Sequence, residues 1–162
     1  MRLLFLLPLS LLLFAGCDSG DDDSPFGGGP NATCSSIGAT ASGSFSGSTP
    51  SGSFAPNCFT LNIASDFVLI SAQEVVFDGP TVDFEEGVEL QLDSNVPGTY
   101  AIGFDEETDQ FTTATYTTGL VTGAEAESGF ITLSSVSGGA AGSFSFTTAA
   151  GQTVSGQFNL SL

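Results

Sequence analysis

The sequence predicts an all-β fold, an antiparallel β-sandwich or barrel of about eight to ten strands. Apolar and polar residues alternate with a period of two wherever the sequence has a pattern, which is typical of strands with one buried face. Clusters of Gly, Pro, Asn and Asp separate these segments at short intervals. No window has a convincing helical period, so we assign no helix.

The alternating segments follow one another along the chain. Residues 71–74, Ser-Ala-Gln-Glu, match a helix capping box, but two valines and Phe77 follow at once, so we predict a strand there. We interpret a recurring Gly-x-Phe unit as a glycine at which a strand bends, followed by an inward phenylalanine. In residues 100–104, Tyr100, Ile102 and Phe104 are expected on the buried face. The other predicted strands include 59–63, 88–92, 143–147 and 157–162, the turns are 78–80, 95–98, 137–139 and 150–151, and the Gly-x-Phe units are 43–45, 52–54, 142–144 and 156–158.

The N-terminus has the organisation of a secretory signal peptide. Arg2 precedes an apolar run at residues 3–14, which ends at the small residues Ala15 and Gly16. A membrane-spanning helix needs about 20 apolar residues, so this run is too short to be one. Residues 1–16 are therefore predicted to be removed from the mature protein.

Residues 13–17, Leu-Phe-Ala-Gly-Cys, resemble the lipobox of bacterial lipoproteins. The resemblance implies a diacylglycerol on Cys17, cleavage before Cys17 and acylation of the new N-terminus. Because stable anchoring takes more than one acyl chain, this chemistry predicts attachment to a lipid bilayer. Residues 17–33 then form the lipidated cysteine and a flexible tether, since their Asp, Ser, Gly and Pro content buries too little apolar surface to fold.

The tether carries conflicting sorting signals. Its residues 21–23, Asp-Asp-Asp, resemble tags that send some lipoproteins to the cell surface, whereas Asp18 resembles an inner-membrane retention signal. We expect a lipid-anchored protein in the cell envelope of a Gram-negative-type bacterium, at the outer membrane. The sequence is compatible with either the periplasmic face of that membrane or the cell surface.

The charge of the mature chain is entirely negative. All 18 acidic residues follow the predicted cleavage point, and the single Arg or Lys, Arg2, precedes it. Binding of nucleic acid through phosphate neutralisation is therefore excluded. The absence of Lys and Arg resembles the acidic proteins of salt-adapted bacteria, so we expect a halophilic source.

The residue inventory leaves little room for catalysis. Without His or Lys the mature chain lacks the usual general base, the Schiff-base amine, the P-loop lysine and the imidazole metal ligand. Asp83 and Glu85 would lie about 7 Å apart on one strand face, a separation that a glycosidase could use. The pair is better explained as residues on the solvated side of an alternating strand, so we predict no catalytic residue and no enzyme.

Cysteine and carboxylate positions suggest two further features. With Cys17 acylated, Cys34 and Cys58 form an even pair in an exported protein, which predicts a disulfide within a single all-β domain at 34–162. Residues 105–109, Asp-Glu-Glu-Thr-Asp, make Asp105, Glu107 and Asp109 weak candidates for a calcium site, because calcium binds oxygen ligands. The loop is not an EF-hand, and we favour a solvated hairpin tip without a cofactor.

The later part of the chain resembles a group of small β-rich bacterial lipoproteins that share a domain of unknown function. The matching segments are Gly-Thr-Tyr at 98–100, Ala-Thr-Tyr at 114–116, 128–133, 141–147 and 154–159. In that family a G-T-Y strand precedes G-x-I-T-I, S-G-x-F-x-F and G-x-F-N strands. The resemblance covers about residues 58–162 and implies a fold and an envelope location, but no activity.

Two kinds of function are compatible with these features. The first is a noncatalytic surface or envelope module that binds an unknown protein or glycan, or is structural. The alternatives are a barrel with a Phe-lined cavity for a small apolar ligand, or a calcium-binding module. The Thr, Ser and Gly content suits exposed sheet faces, so we favour the first.

Overall fold

The computed structural model describes residues 32–119 and 123–162. The predicted all-β class is confirmed in these ranges, which contain one short 3-10 helix and 11 strands. The strand count exceeds the expectation partly because the segment at 100–104 is divided at Ile102. The 3-10 helix is Cys34–Ile37, and the strands are β1 (Ser42–Thr49), β2 (Gly52–Phe54), β3 (Cys58–Ala64), β4 (Phe67–Asp78), β5 (Thr81–Leu92), β6 (Gly98–Ala101), β7 (Gly103–Asp105), β8 (Gln110–Thr118), β9 (Ala124–Ser135), β10 (Gly139–Thr148) and β11 (Thr153–Ser161).

The described strands form one antiparallel sheet that does not close on itself. Its order is β2-β1-β11-β10-β9-β8-β5-β4-β3, with β6 beside β9 and β7 beside β8. The ladder between β8 and β9 has only two residue pairs, Thr115–Glu125 and Tyr116–Ala124, so the sheet folds there into two layers. We call β3, β4, β5, β7 and β8 layer A, and the other strands layer B.

The two layers face each other. β10 contacts β3 and β8, and β11 contacts β3. Ala41, just before β1, forms an isolated bridge to Phe59 of β3, whereas Thr49 at the far end of β1 donates a hydrogen bond to Glu86 of β5. β1 therefore begins near β3 and ends near β5 of layer A.

The Gly-x-Phe units supply much of the aromatic core. Their phenylalanines, Phe45, Phe54, Phe144 and Phe158, are at most 4% exposed, which confirms the predicted inward orientation. The ring of Phe45 lies against the other three, with centroid separations of 5.3–6.2 Å. These rings pack on one another in the interior instead of standing around a ligand.

The glycines of the last two units make room for the opposing rings. In the β10–β11 ladder Gly142 pairs with Phe158, and Phe144 pairs with Gly156. A Cβ atom added at Gly142 would lie 2.7 Å from Cζ of Phe158, and one at Gly156 would lie 2.8 Å from Cζ of Phe144. The expected bend suits Gly43, whose φ is 137°, but at these two positions glycine is required for space.

Most local predictions are confirmed, with one correction. Residues 71–74 lie within β4, and the predicted turns join consecutive strands, with Asp78, Gly98 and Gly139 as end residues of those strands. Phe104 is not on the buried face but 58% exposed, because the bend at Ile102 interrupts the alternation. Asp83 and Glu85 are both exposed and alternate with half-buried neighbours, as expected on the solvated side of a strand, and a β-bulge leaves Glu85 without a partner in β4.

Candidate functional site

β6 and β7 together form a V at the surface of the described residues. β6 pairs antiparallel with β9, β7 pairs antiparallel with β8, and β8 is itself antiparallel to β9. The chain must therefore change direction sharply between the two strands. It does so at Ile102 and Gly103, and Gly103 has a φ of 120°, which favours glycine.

A cleft of about 530 Å³ lies along this V. Its lining includes Thr99 and Ala101 of β6, Phe104 of β7 and the carboxylate-bearing residues Glu106 and Glu107 of the following turn. The volume is within the range of about 300–1,000 Å³ that is usual for ligand-binding clefts. β6 is thus one edge of layer B, and β7 is one edge of layer A, on either side of one cavity.

In an antiparallel ladder, hydrogen-bonded and non-hydrogen-bonded residue pairs alternate. This alternation shows which backbone groups face away from the neighbouring strand. The Ile102 N–H donates to the Gly129 carbonyl, so alternate residues of β6 bond to β9 and the intervening Thr99 and Ala101 do not. Next to β7, the Phe111 carbonyl of β8 accepts a hydrogen bond from the Asp93 N–H and therefore points toward β5. Phe104, opposite Phe111, therefore turns its backbone groups away from β8.

Exposed aromatic side chains lie beside the cleft. Phe104 and Phe111 are direct cross-strand partners and are 58% and 44% exposed. Phe130 of β9, opposite Ala101 of β6, is 47% exposed. Large exposed apolar side chains that are neighbours in a sheet are typical of interaction surfaces, whereas single ones need no explanation.

The acidic loop is a tight turn between β7 and β8. Asp105 Oδ1 accepts a hydrogen bond of 2.9 Å from the Glu107 N–H. This bond, followed by one from the Thr108 side chain, lowers the pKa of Asp105 below its usual value. Asp109 has a φ of 55°, the left-handed conformation that Asp tolerates in turns. Two of the three calcium candidates therefore have roles in shaping the turn.

The carboxylates of this turn do not converge on one point. Within residues 32–119 and 123–162, no three His, Cys, Asp or Glu side chains are grouped so that they could hold a metal ion. Asp105, Glu107 and Asp109 remain neighbours in sequence, at a fully solvated hairpin tip. The geometry gives calcium binding no added support, so we do not propose it.

The hydrogen bond to Asp105 predicts a pH dependence of the hairpin. Because the folded pKa is lowered, the carboxylate stabilises the turn above pH 3.8, its ordinary pKa, and this contribution is lost as pH falls through the lower folded value. In an NMR titration, the Glu107 amide shift should therefore change with a midpoint below pH 3.8. The variant Asp105→Asn should lack that transition, and a midpoint at or above 3.8 would contradict the assignment.

A second polar cluster could not be found from the sequence. Glu86 accepts hydrogen bonds from the Thr49 hydroxyl at 2.9 Å and the Tyr116 hydroxyl at 3.1 Å, and Ser51 lies 3.2 Å from the same Tyr116 oxygen. The cluster ties the β1–β2 turn to layer A. No sequence motif predicts this cluster, because its members are far apart along the chain and come together only when the two layers pack.

The predicted cysteine pair is present. Cys34 and Cys58 form a disulfide with a Cα–Cα separation of 5.2 Å. Thr33 is the N-cap of the 3-10 helix and Ala32 is buried, so the ordered body includes the last two residues of the predicted tether. Cys17, the signal peptide and the remaining tether lie outside the described residues. Among those described, no helix is long and apolar enough to cross a membrane.

Comparison with known proteins adds no assignment. No protein-family model, curated protein or solved structure matches the chain. The resemblance to small β-rich bacterial lipoproteins therefore stays a prediction from its motif residues. Those residues lie in β6, β8, β9, β10 and β11.

Proposed function

We propose that this chain is a lipid-anchored, noncatalytic module of the cell envelope of a Gram-negative-type bacterium, which binds a protein or glycan partner or acts as a structural element. The anchor is Cys17, acylated and held at the outer membrane. The proposal combines the lipobox and tether of the sequence with the form of the domain that follows them.

The pairing of the cysteines carries the proposal. The chain has three cysteines, and the disulfide uses Cys34 and Cys58. Cys17 consequently has no cysteine left in its own chain to bond with, as acylation requires. A disulfide also supports export to an oxidising compartment, where such bonds persist.

The interior supports a binding or structural module over a carrier of small apolar ligands. The sheet of the described residues is not closed, and the central phenylalanine rings contact one another. The accessible cleft instead lies at the surface, at the V of β6 and β7. A partner that docks from outside fits this arrangement better than a ligand enclosed by the core.

Replacement of Cys17 tests the anchor. The variant Cys17→Ala should move from the envelope fraction to the soluble periplasmic or culture fraction, because the acyl chains supply the membrane affinity. Fractionation and mass spectrometry of the mature N-terminus measure this directly. The matched control Cys34→Ala/Cys58→Ala, which changes the other two cysteines, should keep the acylated N-terminus. If Cys17→Ala sediments with envelopes as the wild type does, the anchor is refuted.

A further inference from the structure

We propose that the V of β6 and β7 binds an extended, positively charged peptide segment of a partner protein, which adds as a strand to the free edge of β6. The inference rests on the proposed binding role and names the partner's chemistry. Three properties of the cleft support it: unpaired strand edges, exposed aromatic side chains and a rim of carboxylates.

The strand edges provide the backbone recognition. Thr99 and Ala101 direct their N–H and C=O groups away from β9, and β6 has no strand on that side within residues 32–119 and 123–162. Phe104 presents the edge of β7 to the same cleft. An unpaired edge is a template for an added strand, and many domains bind extended peptides in this way.

The negative charge of the carboxylates at the cleft indicates a positively charged partner. Asp105, Glu106 and Glu107 line the cleft, and the only Lys or Arg in the chain, Arg2, lies in the predicted signal peptide. A second copy of the mature chain would bring the same negative charge to the edge, so self-pairing is disfavoured. A segment with Lys or Arg side chains complements the rim instead.

The aromatic side chains suit the same partner. Phe104 and Phe111 expose a pair of rings next to the acidic turn. Lys and Arg side chains can place their apolar stems on such rings and their charged ends on nearby carboxylates. These exposed rings and the neighbouring carboxylates together complement a peptide strand in which apolar and basic side chains alternate.

The cleft also lies far from the tether. Cys58 forms the disulfide with Cys34, next to the tether. Successive residue pairs across β3, β4, β5 and β8 place Cys58 at the same height in layer A as Gly87 and Thr117. The acidic turn begins at Asp105, opposite Gln110, seven residues along β8 from Thr117 or about 23 Å at the usual strand rise. A chain anchored through its N-terminus presents this end of layer A away from the attachment point.

Binding of defined peptides to the purified, mature protein tests the inference. The probe is a fluorescent peptide of alternating Lys and Val, and the comparison probe alternates Glu and Val. Fluorescence anisotropy should show binding of the Lys peptide only. The variant Ala101→Pro removes one edge N–H in a position where an edge strand tolerates proline, and it should weaken binding about tenfold. Ala101→Thr, which keeps that N–H, should stay within about twofold of the wild type.

A second pair of variants isolates the charge. Glu106→Gln/Glu107→Gln should weaken binding of the Lys peptide about three- to tenfold at about 0.1 M salt and have little effect at about 1 M. The control Asp83→Asn/Glu85→Gln removes the same charge at the opposite end of layer A and should have little effect at either concentration. Equal loss in both pairs would mean diffuse attraction to the whole protein and would overturn the site.

Other outcomes also decide the question. The inference is wrong if neither peptide binds, if both bind equally, or if Ala101→Pro and Ala101→Thr behave alike. A dimer that Ala101→Pro dissociates would identify a second copy as the occupant instead. The anchor is tested separately: release of Cys17→Ala without peptide binding contradicts only this inference, whereas peptide binding without release contradicts only the anchor.

Discussion

Gly156→Ala and Gly142→Ala are each expected to destabilise the protein by about 3 kcal/mol, although alanine is the smallest possible side chain with a Cβ. The new atom at position 156 would meet the backbone carbonyl oxygen of Ser46 and, at 2.8 Å, the ring of Phe144. Backbone cannot move aside as a flexible side chain can, so β1, β10 and β11 would have to separate. Urea unfolding of each variant measures the loss as a lower midpoint with little change in slope.

Gly98→Ala is the matched control for these substitutions. It also adds a methyl group within a strand, but its nearest neighbour is the Tyr100 hydroxyl at 3.3 Å, which would have to move by only a few tenths of an ångström. We expect a loss below about 1 kcal/mol. If all three variants lose equal stability, the close contacts at positions 142 and 156 do not cause the loss, and the pairing of Gly with Phe across β10 and β11 has no special role.

The strand positions were accessible to sequence reasoning because they depend on local chemistry. Alternation identifies β3, β10 and β11, and Gly or Asn at the turns between hairpin strands satisfies backbone conformations that other residues adopt poorly. Gly138 and Gly151, for example, have φ values of 70° and 76°. These requirements are met within a few residues, so the sequence alone is informative.

The arrangement of the strands was not accessible in the same way. The sequence predicts bends with inward rings at the Gly-x-Phe units, but their reciprocal pairing depends on the register that places Gly142 opposite Phe158. The exposed position of Phe104 depends on a bend that joins β6 to one layer and β7 to the other. Alternation assumes a continuous strand, and it fails where the chain changes its partner.

The candidate site shows the same division. The composition of residues 105–109 predicts a solvated hairpin tip, which agrees with their exposure and with the hydrogen bond from the Glu107 N–H to Asp105. The cleft beside it was missed, because it is formed by the edges of two layers whose packing no local pattern encodes. Phe111 and Phe130 are exposed although they lie in strands that otherwise bury their apolar residues. Once the strand register is known, such exposed phenylalanines indicate where a binding surface can lie.

Loss of the disulfide is expected to lower the free energy of unfolding by about 3.5 kcal/mol, because the bond restricts a loop in the unfolded chain. Cys34 and Cys58 are 24 residues apart. The double variant Cys34→Ala/Cys58→Ala, compared with the wild type by urea unfolding, measures this loss. Cys17→Ala, which removes the third cysteine and leaves the bond intact, is the control and should unfold at the wild-type midpoint.

The position of the bond adds a local effect to this global one. Near the disulfide, layer B meets the edge strand of layer A mainly through Thr40 and Ala41, whose N–H groups donate to the Phe59 carbonyl, and through the Thr40 hydroxyl, which accepts from the Leu61 N–H. Without the covalent link this seam should open more often than the core ladders do. Hydrogen exchange at the Ala41 and Leu61 amides should accelerate in the double variant by more than the global loss requires. Equal acceleration at these amides and in the β10–β11 ladder would show that the bond acts only on the unfolded chain.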